Sequence, residues 1–149
     1  MQHPLSFALP PVAEPAALYL STEKTDLLIS ETSSFAWVFD FRLGLRALFV
    51  DLRGREAPWP RPENPYVRLA EWGYIALKAS DELQTNDIVL YGDMEHVALV
   101  ISPSLMESRW GGVVFRHAIQ AVPARFGPKA LAMRRVDLRM PERVRALIG

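Results

Sequence analysis

The stretch 86–102, NDIVLYGDMEHVALVIS, limits the folds open to this chain more than any other segment. Two short β-rich runs, 88–91 (IVLY) and 97–101 (VALVI), flank the compact link GDME. Runs of this length, joined by a short link that contains glycine and aspartate, predict an antiparallel hairpin. Three further short runs follow along the chain: 104–108 (SLMES), 111–119 (GGVVFRHAI) and 130–138 (ALAMRRVDL). Together these runs predict an antiparallel meander in the second half of the chain.

The clearest helix precedes this meander, in the segment 30–48, SETSSFAWVFDFRLGLRAL. Apolar side chains recur there at helical spacing and form one stripe: Phe35, Val38, Phe39 and Leu43. The hydroxyl residues Thr32–Ser34 supply side chains that cap a helix N-terminus. We therefore expect a helix that begins within a residue or two of Thr32, runs to Arg46, and packs its stripe on the predicted hairpin.

The remaining segments are shorter. Residues 1–15 hold four of the twelve prolines and predict an extended N-terminal arm. Residues 16–20 (AALYL) predict the start of a short helix, and 66–77 (YVRLAEWGYIAL) a helical turn that runs into an extended piece. Residues 58–65 (PWPRPENP) predict a surface loop. Helices followed by strands define an α+β class, so we expect one domain over residues 16–149, with N-terminal helices packed on an antiparallel β-sheet.

The amino-acid composition excludes several chemistries. The chain contains no cysteine, which rules out disulfides, thiolate metal sites and thiol nucleophiles. The three histidines, His3, His96 and His117, are far apart in sequence and match no metal-ligand spacing. We therefore expect no metal and no cofactor.

Charge and hydropathy bear on partners and location. No apolar run approaches the roughly 20 residues that a membrane-spanning helix needs, and the N-terminus lacks the pattern of a secretory signal, so the cytoplasm is the default compartment. The zero net charge hides a gradient, because residues 1–41 carry five acids and one base, and residues 103–149 nine bases and three acids. Those bases are scattered with little aromatic interleaving, which favours a solvated face over a nucleic-acid surface.

One long segment resembles a known family. The stretch 82–115, ELQTNDIVLYGDMEHVALVISPSLMESRWGGVVF, is similar to the NlpC/P60 family, papain-like cysteine peptidases that cleave peptidoglycan stem peptides. The family pattern is an L-x-x-G-D-hydrophobic strand, a turn, an H-V-G-I-Y-like strand, a short link, and a strand that ends near a third catalytic group. The resemblance implies that His96 stands at the general base and Glu107 at the group that orients it.

The helical half resembles the same family less closely. The family places its nucleophile at a helix N-terminus in D-C-S-G-[FY]-V, and the corresponding stretch is 31–39, ETSSFAWVF. Thr32 then stands in place of the cysteine, Ser33 on the family's serine and Ser34 on its glycine. The resemblance covers roughly residues 16–138 and implies a papain-like fold. The tyrosine- and glycine-rich approach to the nucleophile, common in the family, is absent.

The substitution at the nucleophile position changes the expected chemistry. A helix N-terminus and a neighbouring imidazole convert a cysteine to a thiolate near neutral pH. A threonine hydroxyl ionises several pH units higher, and known threonine nucleophiles use a free α-amine that Thr32 lacks. The first hypothesis is therefore a catalytically inactive NlpC/P60-like domain that binds a cell-wall peptide or a protein partner, for instance within a phage-tail or secretion assembly.

Two alternatives stay open. One is an active peptidoglycan peptidase, amidase or acyltransferase that uses Thr32 or Ser33 with His96 and Glu107. The other is an SH3-like β-barrel that acts as an interaction module. Structural roles compete with each functional one: Thr32 and Ser33 as N-caps, His96 as a partly exposed hairpin residue, and Glu107 as an exposed carboxylate facing Arg109. Trp110 either rims a substrate-binding cleft or packs over the sheet edge.

Overall fold

The structure is a computed structural model that describes residues 6–8, 17–20, 33–53, 65–110, 113–138, 140–142 and 144–145. These residues form an α+β fold, as the sequence predicts. The helical elements are a π-helical segment (Ala36–Arg42), α1 (Arg46–Arg53), α2 (Pro65–Glu71) and a short 3-10 helix (Ala124–Phe126). The strands are β1 (Ser6–Ala8), β2 (Ala17–Leu20), β3 (Tyr74–Ala76), β4 (Ile88–Tyr91), β5 (His96–Ser102), β6 (Leu105–Trp110), β7 (Val113–His117) and β8 (Lys129–Arg135).

Within the described residues, the strands form one antiparallel sheet in the order β1-β8-β4-β5-β6-β7-β2, and β3 also pairs with β8. The predicted hairpin is confirmed, since β4 and β5 pair from Ile88 opposite Leu99 to Tyr91 opposite His96. Gly92 and Met94 turn the chain between them with positive φ angles of 63° and 60°. The predicted meander continues through β6 and β7. Its predicted last strand is wrong in position, because β8 pairs with β4 and the neighbour of β7 is β2.

The first helix is shorter than predicted. The π-helical segment ends at Arg42, and Gly44 then adopts a φ of 67°, a left-handed conformation that glycine reaches without steric cost. The chain changes direction there and starts α1 at Arg46. The predicted apolar stripe is correct in its centre, because Val38 and Phe39 are fully buried in one core with the inward side chains of β4 and β5.

Other local predictions have mixed outcomes. Residues 17–20 are not helical but form β2, which pairs with β7, so tertiary pairing outweighs local propensity there. The helical turn and extended piece of 66–77 are confirmed as α2 and β3. Within the predicted loop 58–65, Pro65 begins α2, where its missing N–H costs nothing, and the rest of that loop lies outside the described residues. Of the predicted arm, residues 6–8 form an extended strand on β8.

The sheet is covered on both faces, which explains why the strand sequences read as continuous apolar runs. One face, the helical face, packs Ile88, Leu90, Val97 and Leu99 against the helical segments. The opposite face carries Val89, Tyr91, Ala98 and Val100. It is covered by residues 118–128, which connect β7 to β8 and are called the strap below. In the part of the chain that the structure describes, no helix is both long and apolar enough to cross a bilayer.

Candidate functional site

His96 opens strand β5 and lies under the strap. Only 2% of its surface is exposed, so it is not the partly exposed hairpin residue that its position suggests. Its ring stacks on Phe126 of the strap, with centroids 4.0 Å apart and planes at 4°. The ring of Trp110 meets it edge-on at 5.6 Å, and Tyr91 lies at the same centroid distance on the neighbouring strand. His96 is thus enclosed by aromatic rings.

This enclosure fixes the charge of the imidazole. Burial, reinforced by the nearby His117 and Arg125, holds the pKa of His96 well below its usual range. The ring is therefore neutral at physiological pH. Among the described residues, Nε2 of His96 has no hydrogen-bond partner. A general base would need a proton donor at that atom.

Glu107, the predicted partner of His96, lies on the opposite face of the sheet. Its side chain is completely buried, and its carboxylate accepts hydrogen bonds from Trp37, Arg42 and Arg116. The structure therefore does not bring His96 and Glu107 together. The expectations that Glu107 orients His96, or is an exposed carboxylate, are both wrong. Glu107 instead ties the π-helical segment to strands β6 and β7.

The N-terminus of the helical segment meets the start of β5. Oγ of Ser33 accepts a hydrogen bond from Ala36 N–H at 3.1 Å, so Ser33 acts as an N-cap. Oγ of Ser34, which is buried, accepts one from Val97 N–H at 3.1 Å. Thr32 lies outside the described residues. The hydroxyl that contacts strand β5 is therefore that of Ser34, the residue that the family resemblance aligns with a glycine.

Strands β6 and β7 bring together a hydroxyl–imidazole pair that the sequence did not predict. Oγ of Ser108 and Nε2 of His117 lie 2.7 Å apart, and Nδ1 of His117 lies 2.7 Å from the carbonyl oxygen of Ala118. Because a carbonyl only accepts, Nδ1 carries the proton, and the neutral ring accepts the Ser108 hydroxyl proton at Nε2. Burial lowers the pKa of His117, and its hydrogen bond to Ala118 acts in the opposite direction.

The geometry of this pair is that of an activated hydroxyl, with a base bonded to the hydroxyl and an acceptor that orients the base. Ser108 has no exposed surface, and His117 is 2% exposed. Both side chains are therefore closed to substrate in this structure. No sequence motif marks the pair, because Ser108 and His117 become neighbours only through the register of β6 on β7.

Trp110 links the two histidines. Its ring stacks on Phe115 at 4.2 Å and meets His117 edge-on at 5.3 Å, besides its contact with His96. The tryptophan is half-buried and packs across the sheet rather than standing free at a rim. Its predicted role in substrate binding is left to the exposed part of the ring.

Among the described residues, no group of three or more His, Cys, Asp or Glu side chains is placed to hold a metal ion. Comparison of the chain with known protein families, curated proteins and solved structures finds no match.

Proposed function

We propose that this protein is a non-hydrolytic domain of the NlpC/P60 type that serves as a binding or structural module. One observation carries the proposal: the helical segment begins against the strand of His96, as a nucleophile helix would, yet it offers the hydroxyl of Ser34 in place of a thiol. That hydroxyl is bonded to the Val97 amide, and the imidazole of His96 is sealed under the strap on the opposite face of the sheet.

The chemistry of these groups supports binding without turnover. A serine hydroxyl needs a base in hydrogen-bond contact to become a nucleophile. Oγ of Ser34 accepts a hydrogen bond from the Val97 N–H, and among the described residues Nε2 of His96 has no hydrogen-bond partner. An enclosed neutral imidazole of this kind acts as a packing group. The proposed ligand is a cell-wall peptide or a protein partner that recognises the domain.

The test uses purified peptidoglycan sacculi. The protein is incubated with sacculi, and the soluble fraction is analysed by mass spectrometry for new stem-peptide fragments, with an active cell-wall peptidase as positive control. We expect no new fragments, with or without iodoacetamide. Fragments that disappear in both Ser34→Ala and His96→Ala variants would overturn the proposal. Co-sedimentation of intact protein with sacculi would separate a cell-wall ligand from a protein partner.

Acyl transfer by a serine is the second candidate function, and the Ser108–His117 contact favours it. In this reaction the Ser108 oxygen would bond to the carbonyl carbon of an ester while its proton passes to His117 Nε2. That proton would leave with the alcohol, and water would then release the acyl group. A fluorophosphonate probe tests this candidate directly. Labelling mapped to Ser108 and abolished by His117→Ala would support it, whereas an unlabelled Ser108 would exclude it.

A further inference from the structure

The strap packs on the second face of the sheet, which Leu77 and Leu83 also help to cover. The hydroxyl of Tyr91 donates a hydrogen bond to the carbonyl oxygen of Ile119 at 2.7 Å. Val122 and Phe126 pack on the apolar side chains of β4 and β5. A Cβ at Gly92 would collide with the carbonyl oxygen of Phe126, so the strap lies directly on the turn between these strands. Its internal bonds are turn bonds, such as Ala121 N–H to Ala118 and Gly127 N–H to Ala124.

The strap holds a polar atom in an unfavourable place. The stack of Phe126 on His96 removes the imidazole from water, while Nε2 of His96 gains no hydrogen bond from any described residue in return. A buried polar atom without a partner costs free energy, and a buried charge without a partner costs more. The closed strap therefore tolerates only the neutral ring.

The charged surroundings strengthen this preference. His117 on β7 and Arg125 on the strap both oppose a positive charge on His96. On β4 the facing group is Tyr91, a phenol whose pKa burial raises, so it stays neutral. The carboxylate next along the chain, Glu95, is exposed in the turn. The guanidinium of Arg125 lies 4.9 Å from the centre of the Phe126 ring, so a protonated His96 would place a second cation against the same ring.

We propose that the strap is a proton-sensitive cover, which closes over neutral His96 and opens when His96 takes up a proton. Thermodynamic linkage gives the direction, because a proton that binds the open form and not the closed form must favour opening. Opening uncovers an aromatic surface built from Tyr91 and Trp110, which the strap contacts through Ile119 and Phe126. The proposal does not depend on the proposed function, since it concerns access to one face of the sheet whatever binds there.

Hydrogen exchange of individual backbone amides tests the proposal on the full chain. The amides of Ala121, Phe126 and Gly127 report strap opening, because their acceptors lie within the strap and these short turn bonds lose their packing when the strap leaves the sheet. The amides of Val89 and Leu90 in β4, which pairs on both sides, report unfolding of the sheet. With an open-state pKa of about 6.5, the opening constant of the strap should rise about tenfold between pH 7.5 and 5.5, after correction for intrinsic exchange.

Variants identify the group that takes up the proton. His96→Phe keeps an aromatic ring against Phe126 and should abolish the rise, whereas His117→Asn should leave it. Phe126→Leu keeps His96 and weakens the stack, so it should raise opening at both pH values and preserve the ratio, which provides a test if His96→Phe fails to fold. The proposal is overturned if strap exchange does not respond to pH, if His96→Phe responds like the parent, or if the amides of β4 change equally.

Discussion

The indole Nε1 of Trp37 donates a hydrogen bond to Oε2 of Glu107 over 3.0 Å, joining residues that are 70 positions apart in the chain. Arg42 from the same helical segment contacts the same oxygen at 2.6 Å, and Arg116 from β7 contacts the other oxygen at 3.3 Å. A single buried carboxylate thus connects the helical segment to two strands. Its contribution to stability is the first property to measure.

Glu107→Gln keeps the shape of the side chain and removes its charge. We expect a loss of about 1–3 kcal/mol in the free energy of unfolding. The side-chain NH2 of glutamine cannot accept a hydrogen bond, so it would face either the Trp37 and Arg42 donors or the Arg116 donor without pairing. The loss stays moderate because Arg42 and Arg116 are each about a third exposed and regain water. Urea unfolding measures the difference. Glu82→Gln, at an exposed position, is the control and should change stability by less than about 0.5 kcal/mol.

Phe39→Ala tests the assigned face of the helical segment. Phe39 has no exposed surface and meets Tyr74 edge-on at 6.2 Å, so the substitution should cost about 3–5 kcal/mol. Phe41, two residues along, is 36% exposed and stacks on Trp37. Phe41→Ala should cost only about 1 kcal/mol, mostly the aromatic contact. Equal losses for the two variants in thermal or urea unfolding would show that the buried face is assigned wrongly.

The resemblance of the helical half to the NlpC/P60 family is tested by adding the missing thiol. If Thr32 occupies the nucleophile position, the thiol of Thr32→Cys should react with iodoacetamide faster than that of Glu63→Cys in the proline-rich segment, because a helix N-terminus lowers a thiol pKa. Ser34→Cys is the matched variant, and its buried position should make it react more slowly than either. A Thr32→Cys thiol no faster than the Glu63→Cys thiol would remove the basis for that part of the resemblance.

The two buried histidines make stability depend on pH. Burial lowers the pKa of both His96 and His117 in the folded chain, whereas both titrate near 6.5 when unfolded. Below about pH 6.5 the unfolded chain therefore binds more protons than the folded chain. The free energy of unfolding should be greatest above that pH and should fall as the pH drops. Urea unfolding at pH 7.5, 6.5 and 5.5 measures this trend. The slope should be shallower in His96→Phe, and a parent protein equally stable at all three values would contradict the burial of neutral rings.

The hairpin could be predicted from the sequence, but which side chains lie together at the site could not. Strands β4 and β5 are specified locally, by two β-rich runs and a short link. The position of Glu107 depends on a bulge in β5, where Ser102 pairs with Leu105 but Val100 pairs with Met106. Without that extra residue, Glu107 would lie opposite Val100, on the face that carries His96. A shift of one residue moves every side chain of a strand to the other face. No local sequence pattern predicts the bulge in β5 that causes this shift.

Strand β8 carries a consequence for how the chain assembles. It lies inside the sheet, with β4 on one edge and both β1 and β3 on the other, although it is the last of the described strands in sequence order. Ser6 pairs with Leu131 across almost the full sequence, and closing so long a loop must precede the gain from pairing. During synthesis, β1 and β3 therefore remain without their partner until β8, Lys129–Arg135, has left the ribosome. Folding should be slow and concerted, set by the arrival of β8.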